Sequence, residues 1–490
     1  MRASGILMHI SSLPSPYGIG TMGKAAYQFV DFLKASGQHY WQMLPIGPTS
    51  YGDSPYQSFS TCAGNPYFVD LDLLIKDGLL LQEEVDAVDW TGHTARVDYG
   101  FQFNVRFDLL RKAFARGKDK YVDGFRNFRA ANAWVEEYAL YMAVKADQGM
   151  HSWQEWPGDI RLRRAGAAES YGSRLAGDVD FYAFVQFLFF RQWDTLRDYA
   201  HEQGIEIIGD LPIYVPYDSC DVWANPELFQ LDESGIPTGV AGCPPDYFAA
   251  DGQLWGNPLY NWDKMAEDGY RWWKNRIESA SRLFDVIRID HFRGLESYWS
   301  VPYGEKTARN GRWVKGPGSD FIKALHETFP KLRLIAEDLG FLTDAVIQLQ
   351  RESGYPGMKV LEFAFDSREP SNYLPHRYDN NCICYSGTHD NETLTQWLAA
   401  QSDETIDYVM DYLGLRERDE CCWGILRAGM ASVADTFIAQ LQDYLQLGAD
   451  ARMNEPGTLG IHNWTWRMSE DALTPALAKK IKHLTTLYER

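Results

Sequence analysis

Short apolar runs recur along the chain at residues 5–10, 40–44, 205–211, 283–290, 333–337, 358–363 and 381–387, and the pattern places a last one at 451–453. Each reads as a strand. Longer stretches of helical period lie between them. Residues 24–35 put Ala26, Phe29, Val30 and Leu33 on one face. Helical patterning returns at 103–115, 133–145, 180–202, 264–282, 320–329 and 343–351, in several segments within 392–447, and at 472–488. Strands separated by helices run parallel. Eight of them predict an α/β chain in which residues 1–490 form a single (β/α)8 barrel, with an open doubly wound sheet as the alternative. The last strand position lies too near the end of the sequence for a C-terminal β-sandwich to follow. No internal repeat or low-complexity segment interrupts the pattern.

Three stretches depart from it. Residues 47–67, GPTSYGDSPYQSFSTCAGNPY, form a loop too long for an ordinary connection. Its Tyr51, Tyr56 and Phe59 either face a ligand or tether the loop to the body. Residues 71–177 read as a mostly helical insertion between the second and third strands, and 212–262 as an aromatic-rich loop region.

The polar residues that matter most end the apolar runs. Residues 286–294, VIRIDHFRG, begin as a strand and finish in charge. Asp210 ends IEIIGD, Asp290 ends VIRID, Glu337 ends RLIAE and Asp390 follows CYSGTH. On a barrel all four converge on the C-terminal mouth, where ligand sites sit. One such acid is readily a helix cap; four at matched positions are not. Clustered carboxylates hold Mg²⁺ or Ca²⁺, or they divide nucleophile and general-acid roles. Arg288 shares a strand face with Asp290. A permanent cation there is expected to keep Asp290 ionised and favours the second reading over a metal site. His291 and His389, flanking two of the acids, are expected to face the ligand.

Composition narrows the ligand. The net charge of −20 argues against nucleic acid and anionic membrane as partners. Aromatics make up 14% of the chain, with 17 Trp and 28 Tyr, enough for both a large core and a cleft of flat amphipathic faces suited to sugar rings. The seven cysteines are odd in number, and Cys382-x-Cys384 and Cys421-Cys422 lack the usual spacing of zinc ligands. No metal or cofactor is expected. No apolar run is long enough to span a bilayer, and no secretory h-region opens the sequence, so the cytoplasm is the expected location.

The motifs GILMHISSLPSPYGIG, PTSYGDSPYQSFS, GDLPIYV, GQLWGNPLYNW, RIDHFRG, AEDLG, GTHDNET and PGTLGIHNWTWR together resemble the 4-alpha-glucanotransferases called amylomaltases or disproportionating enzymes, relatives of the alpha-amylases. The resemblance runs over nearly the whole chain. It implies a barrel with insertions and retaining transfer of alpha-1,4-glucan segments from maltodextrin or amylose to glucose or another glucan. Carried over, it assigns the nucleophile to Asp290, the acid/base to Glu337, and the third acid, which holds and distorts the −1 sugar, to Asp390. Arg288 and His389 match supports of that sugar, and Asp210 and His291 match positions that shape the site. Tyr56, Trp255 and Asn463 match substrate-contacting positions. A glucan hydrolase with the same carboxylates is the main alternative. A metal-dependent barrel lyase and a non-catalytic glucan-binding protein are two others. Monomer and homodimer both remain open.

Overall fold

The computed structural model describes residues 2–50, 52–93, 95–245, 250–340, 342–366 and 371–490. Eight parallel strands form the centre: β1 (Ala3–Leu7), β2 (Tyr40–Gln42), β3 (Glu206–Leu211), β4 (Val286–Ile289), β5 (Arg333–Ala336), β6 (Gly357–Val360), β7 (Cys382–Tyr385) and β8 (Thr436–Gln440). Their spatial order is β6-β7-β8-β1-β2-β3-β4-β5, which is sequence order around a ring. The seam between β5 and β6 is drawn together by two bonds. The Ala336 amide donates to the Pro356 carbonyl at 2.9 Å, and the Met358 amide donates to the Asp338 carboxylate at 2.7 Å. This is a (β/α)8 barrel. Every residue of β1, β4 and β7 is buried, because side chains fill the barrel inside and helices cover it outside. Gly209 in β3 is forced by that packing, since a Cβ there would lie 2.1 Å from the Phe284 ring.

Three strand positions differ from the sequence reading. The sixth strand, expected over 358–363, ends at Val360, and Leu361–Phe363 turns as a 3-10 helix. β1 stops at Leu7, and Ile10–Ser12 turns as a 3-10 helix. The eighth strand is Thr436–Gln440, not 451–453, where Ala449–Ala451 is a 3-10 turn. TFIAQ is short, mostly buried and flanked by the apolar helix Cys421–Ala431 and the short buried helix Leu441–Tyr444. Periodicity cannot separate such a strand from the helices around it.

The chain between β2 and β3 is mostly helical. Its helix Trp134–Asp147 packs along the 27-residue helix Ala176–Glu202, which leads into β3. Phe184 and Phe187 of the long helix meet Phe125 and Phe128 edge-on or tilted. A second sheet was not anticipated from the sequence. Strands Gln253–Pro258, Gly239–Cys243, Ser297–Pro302 and Arg312–Lys315 lie antiparallel in that order, two supplied after β3 and two after β4. Two of its strands, Gly239–Cys243 and Gln253–Pro258, lie within the expected 212–262 loop region. Its glycines and a register shift between Val240 and Gly242 hide the alternation.

All seven cysteines are free thiols. Cys382 and Cys384 both lie in β7, where burial pushes each up to about 12. Among the described residues no three His, Cys, Asp or Glu side chains group as a metal site requires, and no helix is long and apolar enough to cross a membrane.

The base of the barrel is closed by Arg490. It is 8% exposed and donates to the carbonyls of Met430 (2.7 Å), Ala3 (3.0 Å) and Ser432 (3.0 Å), joining β1 to the turn before β8. Burial and the neighbouring Arg2 bring its pKa down to about 10, so it stays charged at neutral pH. Replacing Arg490 with Met removes these bonds, while Arg2 still donates to the Met430 and Ser432 carbonyls at 3.0 and 2.6 Å. The expected cost is about 1–2 kcal/mol, seen calorimetrically as a fall in thermal midpoint of roughly 1–2 °C.

Candidate active site

The four strand-end acids do converge. Hydrogen bonding continues past the strand ends: the Asp290 amide donates to the Leu211 carbonyl at 3.0 Å and the Glu337 amide to the Ile289 carbonyl at 3.1 Å. Asp290 and Glu337 therefore leave adjacent strands at one level of the mouth. Directly after Asp290 the backbone turns left-handed at His291 (φ 51°, ψ 48°). A non-glycine residue in that region is held there by its surroundings. Here the turn aims the His291 amide at Glu337 Oε2, 2.7 Å away, while the Leu339 amide donates to Oε1 at 2.9 Å. The Glu337 carboxyl is thus anchored one peptide unit from Asp290.

Asp210 and Arg288 stand opposite each other in the β3–β4 register. Residues so paired share a face, and the Arg288 Nη1 group donates to both Asp210 oxygens at 2.6 and 2.8 Å. It also donates to Asp290 Oδ1 at 3.1 Å, while Nε reaches Met358 Sδ at 3.4 Å. The Arg288 and Asp210 side chains are 5% and 1% exposed, and that of Asp290 is 29%, opening to the mouth. Tyr56, from the 47–67 loop, donates its hydroxyl to Asp210 Oδ2 at 2.7 Å and stacks on His389, with centroids 5.0 Å apart. Phe59 instead tethers that loop, buried beneath the Lys145 ammonium at 5.0 Å. Tyr51 lies outside the described residues.

The charge balance corrects one expectation. Burial pushes the Asp290 carboxyl up; Arg288 opposes this, and Asp210, Glu337 and Asp390 reinforce it, leaving the pKa at about 8. Glu337 is also raised by burial, against Arg288 and the two amides that favour its anion. Arg288 does pull Asp290 toward the ionised form. Its charge is largely committed to Asp210, however, and a single bond to Asp290 does not outweigh burial among three other acids. Asp290 and Glu337 therefore titrate as a coupled pair rather than as one fixed anion and one fixed acid. Burial lowers His291 to about 3 and also lowers His389, so both rings are neutral at pH 7.

Asp390 lies across the mouth. Its Oδ1 accepts from Asn454 Nδ2 at 2.7 Å, with His389 Nε2 at 3.4 Å, and its backbone carbonyl accepts from Arg452 at 3.0 Å. Arg452 and Asn454 escaped the sequence reading, which had assigned 451–453 to a strand. The signal available was RMN running into PGTLGIHNW. Trp255 sets its ring edge-on to His291 at 4.8 Å. Asn463 meets none of the acids. It accepts from the Glu455 amide at 3.0 Å and donates to the Thr458 carbonyl at 3.1 Å, bracing the loop that carries the exposed Leu459 and Ile461.

Two carboxyls of unlike surroundings, a third acid opposite them and neutral donors between suit acid–base chemistry on a polyhydroxylated substrate. Comparison with known proteins decides the family. The model of the 4-alpha-glucanotransferase family matches residues 8–474. This chain belongs to the 4-alpha-glucanotransferase family. A 4-alpha-glucanotransferase of Clostridium butyricum is 46% identical over 99% of the chain and 100% of its own length. One of Streptococcus pneumoniae is 48% identical over 100% of the chain and 97% of its own. Among solved structures, the amylomaltase from Streptococcus agalactiae in complex with acarbose superposes with a TM-score of 0.97 at 40% identity, covering 100% of both chains. An amylomaltase from Corynebacterium glutamicum, 18% identical, shares the fold at a TM-score of 0.79 over 100% of this chain and 75% of its own.

The raised Asp290 pKa has a consequence for stability. The folded protein keeps this proton where the unfolded chain releases it. The associated stability is complete below the unfolded carboxyl pKa and is lost as pH rises toward about 8. Asp290→Asn removes the loss. Its gain in thermal midpoint is expected to be small near pH 4 and to grow to roughly 3 °C or more by pH 8, read by scanning calorimetry at both values.

Proposed function

We propose that this chain transfers a segment of an alpha-1,4-glucan, with retention, from a maltodextrin donor to the 4-hydroxyl of glucose or another glucan. The observation that carries the reading is the placement of Asp290 and Glu337 on adjacent strand ends, with the Glu337 carboxyl held by the amide next to Asp290. In the productive state the pair holds one proton, on Glu337. That proton goes to the glycosidic oxygen as the bond to the anomeric carbon breaks. An Asp290 oxygen attacks the same carbon and forms a glycosyl ester, and the shortened glucan leaves with a free 4-hydroxyl. Glu337, now an anion, takes the proton from the incoming 4-hydroxyl, whose oxygen displaces Asp290.

The other residues support this division. A sugar seated in the mouth adds positive character at its anomeric carbon, which favours the Asp290 anion and leaves the shared proton on Glu337. Asp390, 47% exposed at its side chain and steadied by Asn454, is placed to accept from sugar hydroxyls. Neutral His389 and His291 add hydrogen-bonding capacity without further charge. Tyr56 and Trp255 offer flat faces at two sides of the mouth, suited to excluding water while an acceptor sugar binds. Asn463 acts through the loop it braces. The free thiols fit a reducing cytoplasm.

Maltotriose incubated with the enzyme is expected to give glucose and a ladder of longer maltodextrins. Reducing ends rising in step with bonds broken would identify a hydrolase instead. Glu337→Gln is expected to lower maltotriose turnover about 10³-fold or more. The same variant should still accept α-maltosyl fluoride, whose leaving group needs no proton, and mass spectrometry should find the maltosyl ester on the Asp290 peptide. Asp290→Asn should lose both activities. Ester formation at any other carboxylate would remove Asp290 from the nucleophile's role.

A further inference from the structure

Asp338 follows Glu337 directly, yet no step of the transfer uses it. An acid ahead of a helix is commonly its cap. The next helix, Asp344–Ser353, is capped by Thr343 instead, whose side chain accepts from the Val346 amide. Asp338 turns across the barrel seam. β5 and β6 are the two ends of the sheet order, so no strand ladder joins them. On the base side of Glu337 the seam is crossed by the Ala336 amide, which donates to the Pro356 carbonyl. On the mouth side it is crossed by a side chain, because Asp338 Oδ1 accepts from the Met358 amide at 2.7 Å. The approach requires glycine at 357, since a Cβ there would overlap the Asp338 carboxylate.

That bond reaches Glu337 in two ways. Glu337 lies between the two crossings of the seam. The Leu339 amide, which donates to Glu337 Oε1 at 2.9 Å, belongs to the peptide unit that Asp338 begins. The donor that holds this oxygen is therefore carried by the residue pinned to β6. A neutral side-chain amide would accept from Met358 equally well, but the carboxylate also brings charge. Burial raises the Glu337 pKa, Arg288 and the two amides oppose this, and the neighbouring Asp338 reinforces it. Asp290 and Tyr373 face Glu337 as well. Burial raises Asp338 in turn, and the Met358 amide and the Lys359 ammonium of β6 oppose it. Tyr373 and Cys382 of β7 complete its surroundings.

We propose that Asp338 is a positioning residue for the acid/base: its carboxylate closes the barrel seam beside Glu337, fixes the Leu339 amide that holds the Glu337 carboxyl, and sets a negative charge next to it. This rests on the transfer reading above and deepens its proton-transfer half. Asp290, held by Arg288 and by the Leu211 carbonyl, does not depend on this anchor.

The test compares Asp338→Ala and Asp338→Asn with the unaltered enzyme. Maltotriose needs the proton of Glu337. Fluoride release from α-maltosyl fluoride, with enzyme in excess, reports attack by Asp290 alone. Asp338→Ala should lower maltotriose turnover about 10- to 100-fold and change fluoride release by less than about threefold. Asp338→Asn keeps an acceptor for the Met358 amide and should recover most of the maltotriose rate below the pH optimum. The alkaline limb of its pH profile should move down by about half a unit or more, because the anion that favoured the proton on Glu337 is gone. Fluoride release slowed as much as maltotriose turnover in Asp338→Ala would overturn the proposal and mark a support of the whole barrel. So would full maltotriose activity in Asp338→Ala, or an unmoved alkaline limb in Asp338→Asn. The last measurement decides even where the alanine variant does not fold. Failure of the transfer reading would look different: the unaltered enzyme would not lengthen maltotriose at all.

Discussion

The site depends on one buried ion pair. Asp210 and Arg288 face each other across β3 and β4, in register and nearly sealed from solvent. Neither could be buried alone, since an unpaired charge at that depth costs several kcal/mol. Together they form a fixed post to which the reactive groups attach. Asp290 hangs on the free reach of Arg288 Nη1. Tyr56 hangs on Asp210, and through its stacking on His389 it reaches the residue beside Asp390. The 47–67 loop and three strand ends are thereby positioned by one contact buried at the floor of the mouth.

Such a centre is electrostatically overfull of acid. Asp210, Asp290 and Glu337 share the Arg288 guanidinium, and burial outweighs that cation at Asp290 and Glu337. The two histidines at the mouth are neutral, so they do not relieve the excess. Raised pKa values are how the site relieves that crowding. A substrate that gains positive character in its transition state offsets the same excess, so the crowded acids favour the reacting state over the ground state.

Much of this was legible in the sequence because barrel geometry repeats. An apolar run ending in an acid means the same thing at Asp210, Asp290 and Glu337, and the mouth could be assembled from that regularity alone. What escaped lacked a repeating period. TFIAQ has only three apolar residues in a row and no period-two alternation, so it does not separate from its flanking helices. The small sheet is interrupted by glycines and a register shift, and is held by cross-strand pairs that local sequence does not reveal. Asn454 acts on Asp390 through a fold-back of the chain that spacing cannot express. The protonation of Asp290 was misjudged for a related reason. Sequence places Arg288 beside it, but only three-dimensional structure reveals that Asp210 has the stronger claim on that charge.

The left-handed turn at His291 ties the two central acids together by more than electrostatics. Its amide is both the next link after Asp290 and a donor to the Glu337 carboxyl. Any shift of the Asp290 backbone as its side chain changes bonding is passed to the other acid through one rigid peptide unit. The two therefore move as a single mechanical part. The His291 N–H sits at the joint, where a local probe such as its amide exchange rate senses the state of both.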